Sequence, residues 1–571
     1  MEGLENMAFI ANAVSLVTYF YGFMNLSLTK SATTLTNFMG TSFLLALFGG
    51  FISDTYLSRF KTCVLFGCIE LVGYALLAVQ AHFGALRPFP PCNSVAAGSI
   101  TQCEPANDGQ TAILLSGLYL IALGTGGIKA GLPSLGADQF DHVNEAALVS
   151  SFFNWFMFSL SIGAVIGVTF VVWISTNQGW DWGFGMCFIA VFFAIVFICM
   201  GKSFYRHNVP KGSAIVRIVQ VFVVAFRNRN LPIPEMTDEL HDELHDKEAA
   251  LIETEILQRT DQFRFLDRAA VLPTNPHDIV MTSPLNAPRE SLAWNLCTVT
   301  QVEETKILIR MLPIILSTVF MNTCLAQLQT FSIQQSVTMD THLFGGFHIP
   351  GPSLPVIPLL FMAILVPLYD RVFVPVARKF TGIPTGIRHL QRVGIGLVLS
   401  AISMAIAGIM ETRRKSVAVH HNMVDSSDPL PMSIFWLGFQ YGIFGAADCF
   451  TFVGLLEFFY AESSAGMKSL GTAISMCSLA FGYYLSTVVV EVVNKVSGGW
   501  LASNNLNRDK LNYFYYLLAG LSVVNFGFYL LCASWYRYKK VEPQMELLGS
   551  SKGDKAEIRV EMMKLRNDQN I

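Results

Sequence analysis

Glu2, Glu5, Glu70, Lys129 and Asp448 each sit in a stretch that is otherwise apolar. A charge at mid-bilayer costs at least about 2.5–3.5 kcal/mol, so each needs a reason. Glu2 and Glu5 are three residues apart and share one helix face. Glu70 lies about 12 Å into the third apolar window at ~1.5 Å per residue. Lys129 is embedded in GTGGIKAG, and Asp448 sits in the middle of the tenth window. These types make a titratable set. A buried lysine facing carboxylates holds them ionised until a proton arrives, and loss of the ion pair changes which packing of the bundle is favoured. The competing reading is that the charges only pair to stabilise the bundle. For Lys129 and Asp448 that reading is weak, because buried ion pairs are poor stabilisers. For Glu70 both readings stand, and Glu2 could lie in the interface with no partner. Arg310 and Glu457, near window ends, are expected to snorkel towards water.

The elements that must position these groups are membrane helices. The 571 residues are 52% apolar and only 14% charged, where a soluble domain carries about 25% charge. That balance excludes a water-soluble enzyme. A formal charge of −3 carries no basic excess, which excludes nucleic acid as a partner. Twelve apolar windows of about 20 residues recur, the first near 4–28 and the last near 513–536, and in lipid each must be a helix. The first should serve as its own insertion signal. With both termini inside, the outer loops hold only Lys30, Arg87, Arg413, Arg414, Lys415, Lys495, Arg508 and Lys510 of the 38 lysines and arginines. GTGGIKAG and FGGFISD offer the small residues over which helices approach and slide.

The expected architecture is an all-α membrane protein of two six-helix halves. Residues 1–201 form the first half, 202–306 a hydrophilic cytoplasmic linker, 307–536 the second half and 537–571 a disordered cytoplasmic tail. Within the linker, GSAIVRIVQVFVVAFRN reads either as an interfacial helix or as one packed on the inner face. PEMTDELHDELHDKEAALIETEIL reads as a solvated acidic helix. Its His241 and His245 share a face, but HDELH lacks the glutamate after the first histidine that a zinc-protease helix requires. Most cysteines act as small hydrophobes, whereas Cys92 and Cys103 share an outer loop and could close a disulfide. No nucleophile with a base, no metal set and no cofactor motif is present.

Two strings resemble the gate signatures of the major facilitator superfamily: GGFISDTYLSRFKT after the second window and YDRVFVPVARKF after the eighth. The first resemblance implies gating roles for Asp54, Arg59 and Lys61, the second for Asp370 and Arg371. More narrowly, GTGGIKAGLPSLGADQFD, FFNWFMFSLSIGA, FRFLDRAAV, LQRVGIG and LEFFYAESSAGMKS, in that order, resemble the plant nitrate and peptide transporter family, a branch of the proton-coupled oligopeptide transporters. The similarity runs from residue 2 to about 540. It implies a major facilitator fold of twelve transmembrane helices with a central cytoplasmic loop.

In that family two glutamates spaced by two residues, followed by a basic residue, couple transport to protons together with a lysine of the fourth span. By resemblance these fall on Glu2, Glu5 and Lys129, while Asn6 replaces the basic residue. The expected coupling is therefore weak or one-proton. Relatives carry further residues before the first glutamate, so a shortened N-terminus is an expectation. In the seventh span Leu325 occupies the place of a histidine that nitrate-selective relatives carry, and Asn12 that of a first-span arginine used by bacterial relatives. NTCLAQLQTFSIQQ with LENMAFIANAVSLVTYF most resembles the subgroup of abscisic acid importers, some of which accept gibberellin or nitrate. The resemblance implies a plasma-membrane symporter of a small anion with protons, its substrate site drawn from Lys129, Asn322, Leu325, Gln327 and Asp448. The competing readings are a low-flux anion sensor and a gibberellin or peptide transporter of the same family.

Overall fold

A computed structural model describes residues 1–26, 28–88, 106–140, 146–206, 214–232, 240, 257, 259–271, 294–342, 353–383, 385–425, 429–464, 467–501 and 506–539. Cys92, Cys103, His241, His245 and the tail from residue 540 lie outside these.

The first six spanning helices are α1 (Glu2–Thr18), α2 (Leu28–Thr55), α3 (Arg59–His82), α4 (Asp108–Ala137), α5 (Ala146–Ile166) and α6 (Trp180–Met200). A helix of the linker, α7 (Ala214–Arg227), follows. The second set is α8 (Val299–Val337), α9 (Val356–Leu368), α10 (His389–His420), α11 (Gly438–Glu462), α12 (Lys468–Ser497) and α13 (Leu511–Trp535). Eleven helical stretches are long and apolar enough to cross a membrane, and α1, prolonged by a π turn over Tyr19–Phe23, makes twelve among the described residues.

Local signals set the helix starts. Asn107 caps α4, accepting from the Gln110 amide at 2.8 Å while the Gln110 side chain accepts from the Asn107 amide at 3.1 Å. Thr298 and Gln301 build the same box on α8, which therefore starts before its apolar window does. Two cores result: one, around Phe9, Tyr19, Tyr74 and Phe153, runs across the seam to Met362, Val453 and Tyr460 of the second set, and the other, around Met311, Phe444, Phe458 and Tyr515, lies within the second set. Large apolar side chains such as Phe193, Phe197, Ile364, Val524 and Leu531 point outward, as a lipid-facing shell must. A two-residue strand, Met339–Asp340, pairs in parallel with Leu430–Ser433 and ties the end of α8 to the start of α11.

Glycine brings the interior helices into backbone contact. A Cβ on Gly49 of α2 would lie 2.5 Å from the Gly127 Cα of α4, and one on Gly124 of α4 would lie 2.7 Å from the backbone nitrogen of Glu70 on α3. Any side chain there would push the helices apart, so GTGGIKAG is what carries Lys129 into the centre of the first bundle.

α7 packs on a 3₁₀ turn, Arg264–Ala270, and on α8 and α2. Val221 and Val224 are buried against that turn, while Ile215, Val219, Phe222 and Phe226 remain exposed. One face of this helix is thus packed on the bundle and the linker turn, and its other apolar face is exposed.

Candidate transport site

The first bundle gathers the sequence-predicted charges. Lys129 Nζ lies 3.2 Å from Glu5 Oε2 and 4.0 Å from Glu2 Oε1, and 4.9 Å above the Phe9 ring. Glu5 and Glu70 are 0% exposed, Lys129 6% and Glu2 7%, so Glu2 is drawn into the bundle and does not lie in the interface. Glu70 Oε1 accepts from the Thr125 hydroxyl at 3.2 Å. Glu2 Oε2, Glu5 Oε1 and Glu70 Oε2 are buried with no hydrogen-bond partner among the described residues. Asn6 turns away and donates to the Leu160 carbonyl at 2.9 Å. Asn12 donates to the Ala8 carbonyl and touches Cys187 Sγ, which fastens α1 to α6.

In the second bundle Asp448 is partly exposed on α11 and has no ion-pair or hydrogen-bond partner among the described residues. Leu325 is likewise partly exposed and packs against both cores at the seam. The other two expected substrate residues need correction. Gln327 is fully buried and donates to Ser486 of α12 at 2.8 Å, and Asn322 donates to Ser478 of α12 at 2.8 Å. Both amide nitrogens fasten α8 to α12, while Gln327 Oε1 is buried with no partner among the described residues.

The face that the lysine and arginine distribution assigns to the inside carries a latch across the seam. Arg59 Nε donates to Ser469 Oγ of α12 at 2.7 Å, the Leu470 amide donates to Asp54 at 2.8 Å, and Tyr460 of α11 donates to Asp138 at 2.8 Å. Arg59 pairs in turn with Asp138 and, at 3.5 Å, with Asp54. A second cluster is built on Asp370, which accepts from Ser151 at 2.9 Å, Asn154 at 2.9 Å and Trp155 at 3.2 Å of α5. Arg392 donates to Asn154 at 2.8 Å and pairs with Glu457 at 3.4 Å, as His389 does at 3.5 Å.

Of the predicted gate residues, Asp54, Arg59 and Asp370 are in these clusters and Arg371 lays its guanidinium over the Trp155 ring at 5.2 Å. Lys61 is exposed and bonds nothing across the seam among the described residues, because it stands on the outward side of the first turn of α3. Glu457 is buried in the latch, and Arg310 is buried against Glu303 at 3.3 Å. Neither snorkels, because each finds an opposite charge inside. Asp138, Ser469, Tyr460 and Arg392 were missed, although the strings GTGGIKAGLPSLGADQFD, LEFFYAESSAGMKS and LQRVGIG contain all four.

The cross-seam bonds named here end at Thr41 and Tyr484, whose hydroxyls are 3.5 Å apart about 21 Å from the inner end of α2 at ~1.5 Å per residue. Beyond that level each half bonds to itself. Tyr19 packs on Trp180 and Phe184. Gln335 donates to Glu411 at 2.6 Å, and Arg414 joins Glu411 to Asn507. On the outer surface Arg508 grips Asp425 through two bonds of 2.8 Å and holds its carboxyl below the usual range. A depressed carboxylate gives stability that is lost only as pH falls through its lowered value, so this clasp persists in mild acid. The halves are thus bonded to one another at the end that carries the latch, and among the described residues no bond named here joins them at the other end. Among the described residues no three His, Cys, Asp or Glu side chains are grouped as a metal would need.

A model of the POT family matches residues 60–505. The chain belongs to this family. It is 42% identical over 553 residues to Protein NRT1/PTR FAMILY 4.6 of Arabidopsis thaliana, covering 94% of this chain and 93% of that one. It is 43% identical over 549 residues to Protein NRT1/PTR FAMILY 4.5 of the same plant, with coverage of 94% and 92%. Among solved structures the POT family transporter PepTSo superimposes with a TM-score of 0.59 at 17% identity, covering 93% of this chain and 96% of that one. A POT family transporter in complex with 5-aminolevulinic acid gives 0.56 at 11% identity, with coverage of 93% and 94%.

The chain is therefore an integral, multi-pass membrane transporter of major facilitator fold, and not an enzyme. The seam latch is made of bonds to only a few side chains. The Lys129 group is a charge set that protons can rebalance.

Proposed function

We infer that the protein is a secondary active symporter of the plasma membrane, with both termini in the cytoplasm, that imports a small anion with protons. The preferred solute is a carboxylated plant hormone such as abscisic acid, with nitrate as the other anion of the same reading. The single observation that carries it is Lys129, the lone cation shared by Glu2 and Glu5 inside the first bundle. Protonating those carboxylates from outside releases the ammonium, which then serves as counter-charge for an entering anion. The filled site removes the reason for the halves to stay parted outside, and the latch at Arg59, Asp138 and Asp370 gives way inside.

The energetics require protons. A monoanion entering against 100 mV, negative inside, costs about 2.3 kcal/mol; one proton cancels that charge, and a second makes voltage a driving force. The apolar surround of Phe9, Phe43 and Leu325 suits a hydrophobic ring carrying one carboxylate better than it suits nitrate.

A second reading has its own support. Partnerless Asp448 would suit a solute carrying an amine, such as a dipeptide, and a structural neighbour is described in complex with 5-aminolevulinic acid. Uptake of labelled abscisic acid, gibberellin, nitrate and a dipeptide in oocytes, at about pH 5.5 and about pH 7.5, separates the two. Acid-stimulated uptake of abscisic acid or nitrate with no dipeptide uptake supports the first. Dipeptide uptake alone replaces it with the second, and flux of none at either pH, with binding retained, makes the protein a sensor.

A further inference from the structure

Glu70 is the buried acid that the coupling scheme above leaves unused. It faces Lys129 and Thr125 on α4, Glu2, Glu5 and Asn12 on α1, Tyr74 on its own helix and Cys187 on α6. From α2, which also packs on α3, the only titratable residues are Lys30 and Asp54, near its two ends. Its one hydrogen bond comes from the neutral Thr125 hydroxyl, and its second oxygen is buried without a partner among the described residues. A carboxylate kept for structure would be saturated with donors, as Glu303 is at the foot of α8, and an apolar side chain of like volume would stabilise this site better.

The charges of the cluster also fail to balance without protons. Glu2, Glu5 and Glu70 set three carboxyls against the single ammonium of Lys129, and Asn6, turned to the Leu160 carbonyl, adds no cation. With every acid ionised the group would carry a net charge of −2 in a space closed to water. Neutrality is reached when two of the three carboxyls are protonated. The arrangement therefore holds one more acid site than the Glu2–Glu5 pair supplies, in the chain that lacks the basic residue after that pair.

We propose that Glu70 is a proton-binding carboxyl of the coupling site and takes the second proton of the transport cycle. The proposal rests on the symport reading and replaces the one-proton expectation drawn from Asn6. A proton added to Glu70 leaves Lys129 facing only the α1 acids, and a proton on either of those leaves it a single carboxylate partner, with which an entering anion competes for the ammonium. The two-proton, one-monoanion cycle then carries one net positive charge inward. Gly124, which lets the α4 backbone touch Glu70, couples this event to the contact between α3 and α4.

The test compares wild type with Glu70→Gln, which keeps the shape and the bond to Thr125. The probe is whichever of abscisic acid, gibberellin, nitrate and a dipeptide is taken up best. Charge moved per solute is measured in oocytes, and exchange of solute at equal pH on both sides is measured in vesicles. Wild type is expected to pass one inward charge per monoanion. Glu70→Gln is expected to lose that current and about tenfold of its acid stimulation, while exchange stays within about twofold of wild type. Glu70→Asp, still titratable, should keep the current. A wild-type charge ratio of zero with gradient-driven uptake intact overturns the role of Glu70 while leaving symport standing, as does an unchanged ratio in Glu70→Gln. Absence of gradient-driven uptake of every probe in wild type overturns symport, and this proposal with it. Should Glu70→Gln fail to reach the membrane, infrared titration of purified wild type against Glu70→Asp decides. A carboxyl band that titrates and shifts between the two supports the proposal, and identical spectra overturn it.

Discussion

Two buried charge networks lie in this molecule, and they are built to opposite rules. At the foot of α8, Lys306 Nζ bridges Asp267 at 2.6 Å and Glu303 at 2.7 Å, Arg259 binds Asp267 at 3.0 Å, and Arg310 binds Glu303 at 3.3 Å. The remaining lone pairs of Glu303 are taken by the Thr260 amide at 2.9 Å and hydroxyl at 2.7 Å. Three cations meet two carboxylates and every charge has several partners. In the α1–α3–α4 cluster one cation meets three carboxylates, and three carboxyl oxygens have no partner among the described residues. Saturation marks a network that must hold one state; deficit marks one that must change state. The first clamps the 3₁₀ turn Arg264–Ala270 of the linker onto a spanning helix, whereas the second answers to protons.

Removing one member from each network should break them in different ways. Lys129→Ala leaves the acids without a cation, a penalty of about 3–5 kcal/mol, or roughly two to four powers of ten at about 1.36 kcal/mol per tenfold. Relief of that penalty by protonation means that the protein still folds, while gradient-driven uptake is lost and the pH profile goes flat. Uptake across a pH series with surface labelling checks both. Lys306→Ala strands Asp267 and Glu303, whose other partners are fixed in place, so the same ~3–5 kcal/mol is charged to stability. The expected outcome is a sharply lower melting temperature and yield in detergent, with an unaltered pH profile in whatever protein survives. If Lys306→Ala flattens the pH profile, or Lys129→Ala leaves it intact, the distinction between the networks fails.

The same contrast explains how much was legible in the sequence. Glu2, Glu5, Glu70 and Lys129 could be read because an ionisable residue inside an apolar window is conspicuous and has few places to go. The twelve spans and their pairing into two bundles followed from hydropathy alone. The network at the foot of α8 could not be read, because Asp267 and Arg259 belong to a polar insert where charge is unremarkable. Arg310 was taken for a snorkelling side chain for want of its partner Glu303. Gln327 and Asn322 were misplaced for another reason. The composition of α8 gives its face weakly, and only contact with Ser478 and Ser486 decides that these amides point at α12 and not at the seam. The latch was half legible: Asp54, Arg59 and Asp370 lie in recognisable gate strings, but Ser469, though it closes the string LEFFYAESSAGMKS, and the Leu470 amide are of ordinary type and made important by position.

Smaller effects test the seam between the networks. Asp448→Asn removes a charge with no ion-pair partner among the described residues, so it should cost little stability. If the carboxylate meets solute it should alter KM by about 10- to 100-fold, the equivalent of a charged hydrogen bond of about 1.5–3 kcal/mol. The pH profile set by the Lys129 cluster should be unchanged. An unaltered KM for every solute of the uptake panel would remove Asp448 from the binding site.

Tyr460→Phe is the mildest probe. It deletes a single hydroxyl that reaches across the seam to Asp138 at 2.8 Å, while the ring stays packed on Phe153 at 5.4 Å. Asp138 keeps Arg59 as its partner, so no charge is stranded and the fold is expected to be unaffected. The bond exists only with the inner side closed, so its whole worth, about 0.5–1.5 kcal/mol, biases the equilibrium towards the inward-open state. The population ratio should move by roughly two- to tenfold. Distances between spin labels on the inner ends of α4 and α11 would report it as a larger open fraction. An equal shift in Lys129→Ala would mean that the coupling cluster and the latch act as one switch, whereas independent shifts would mean that the anion itself must link them.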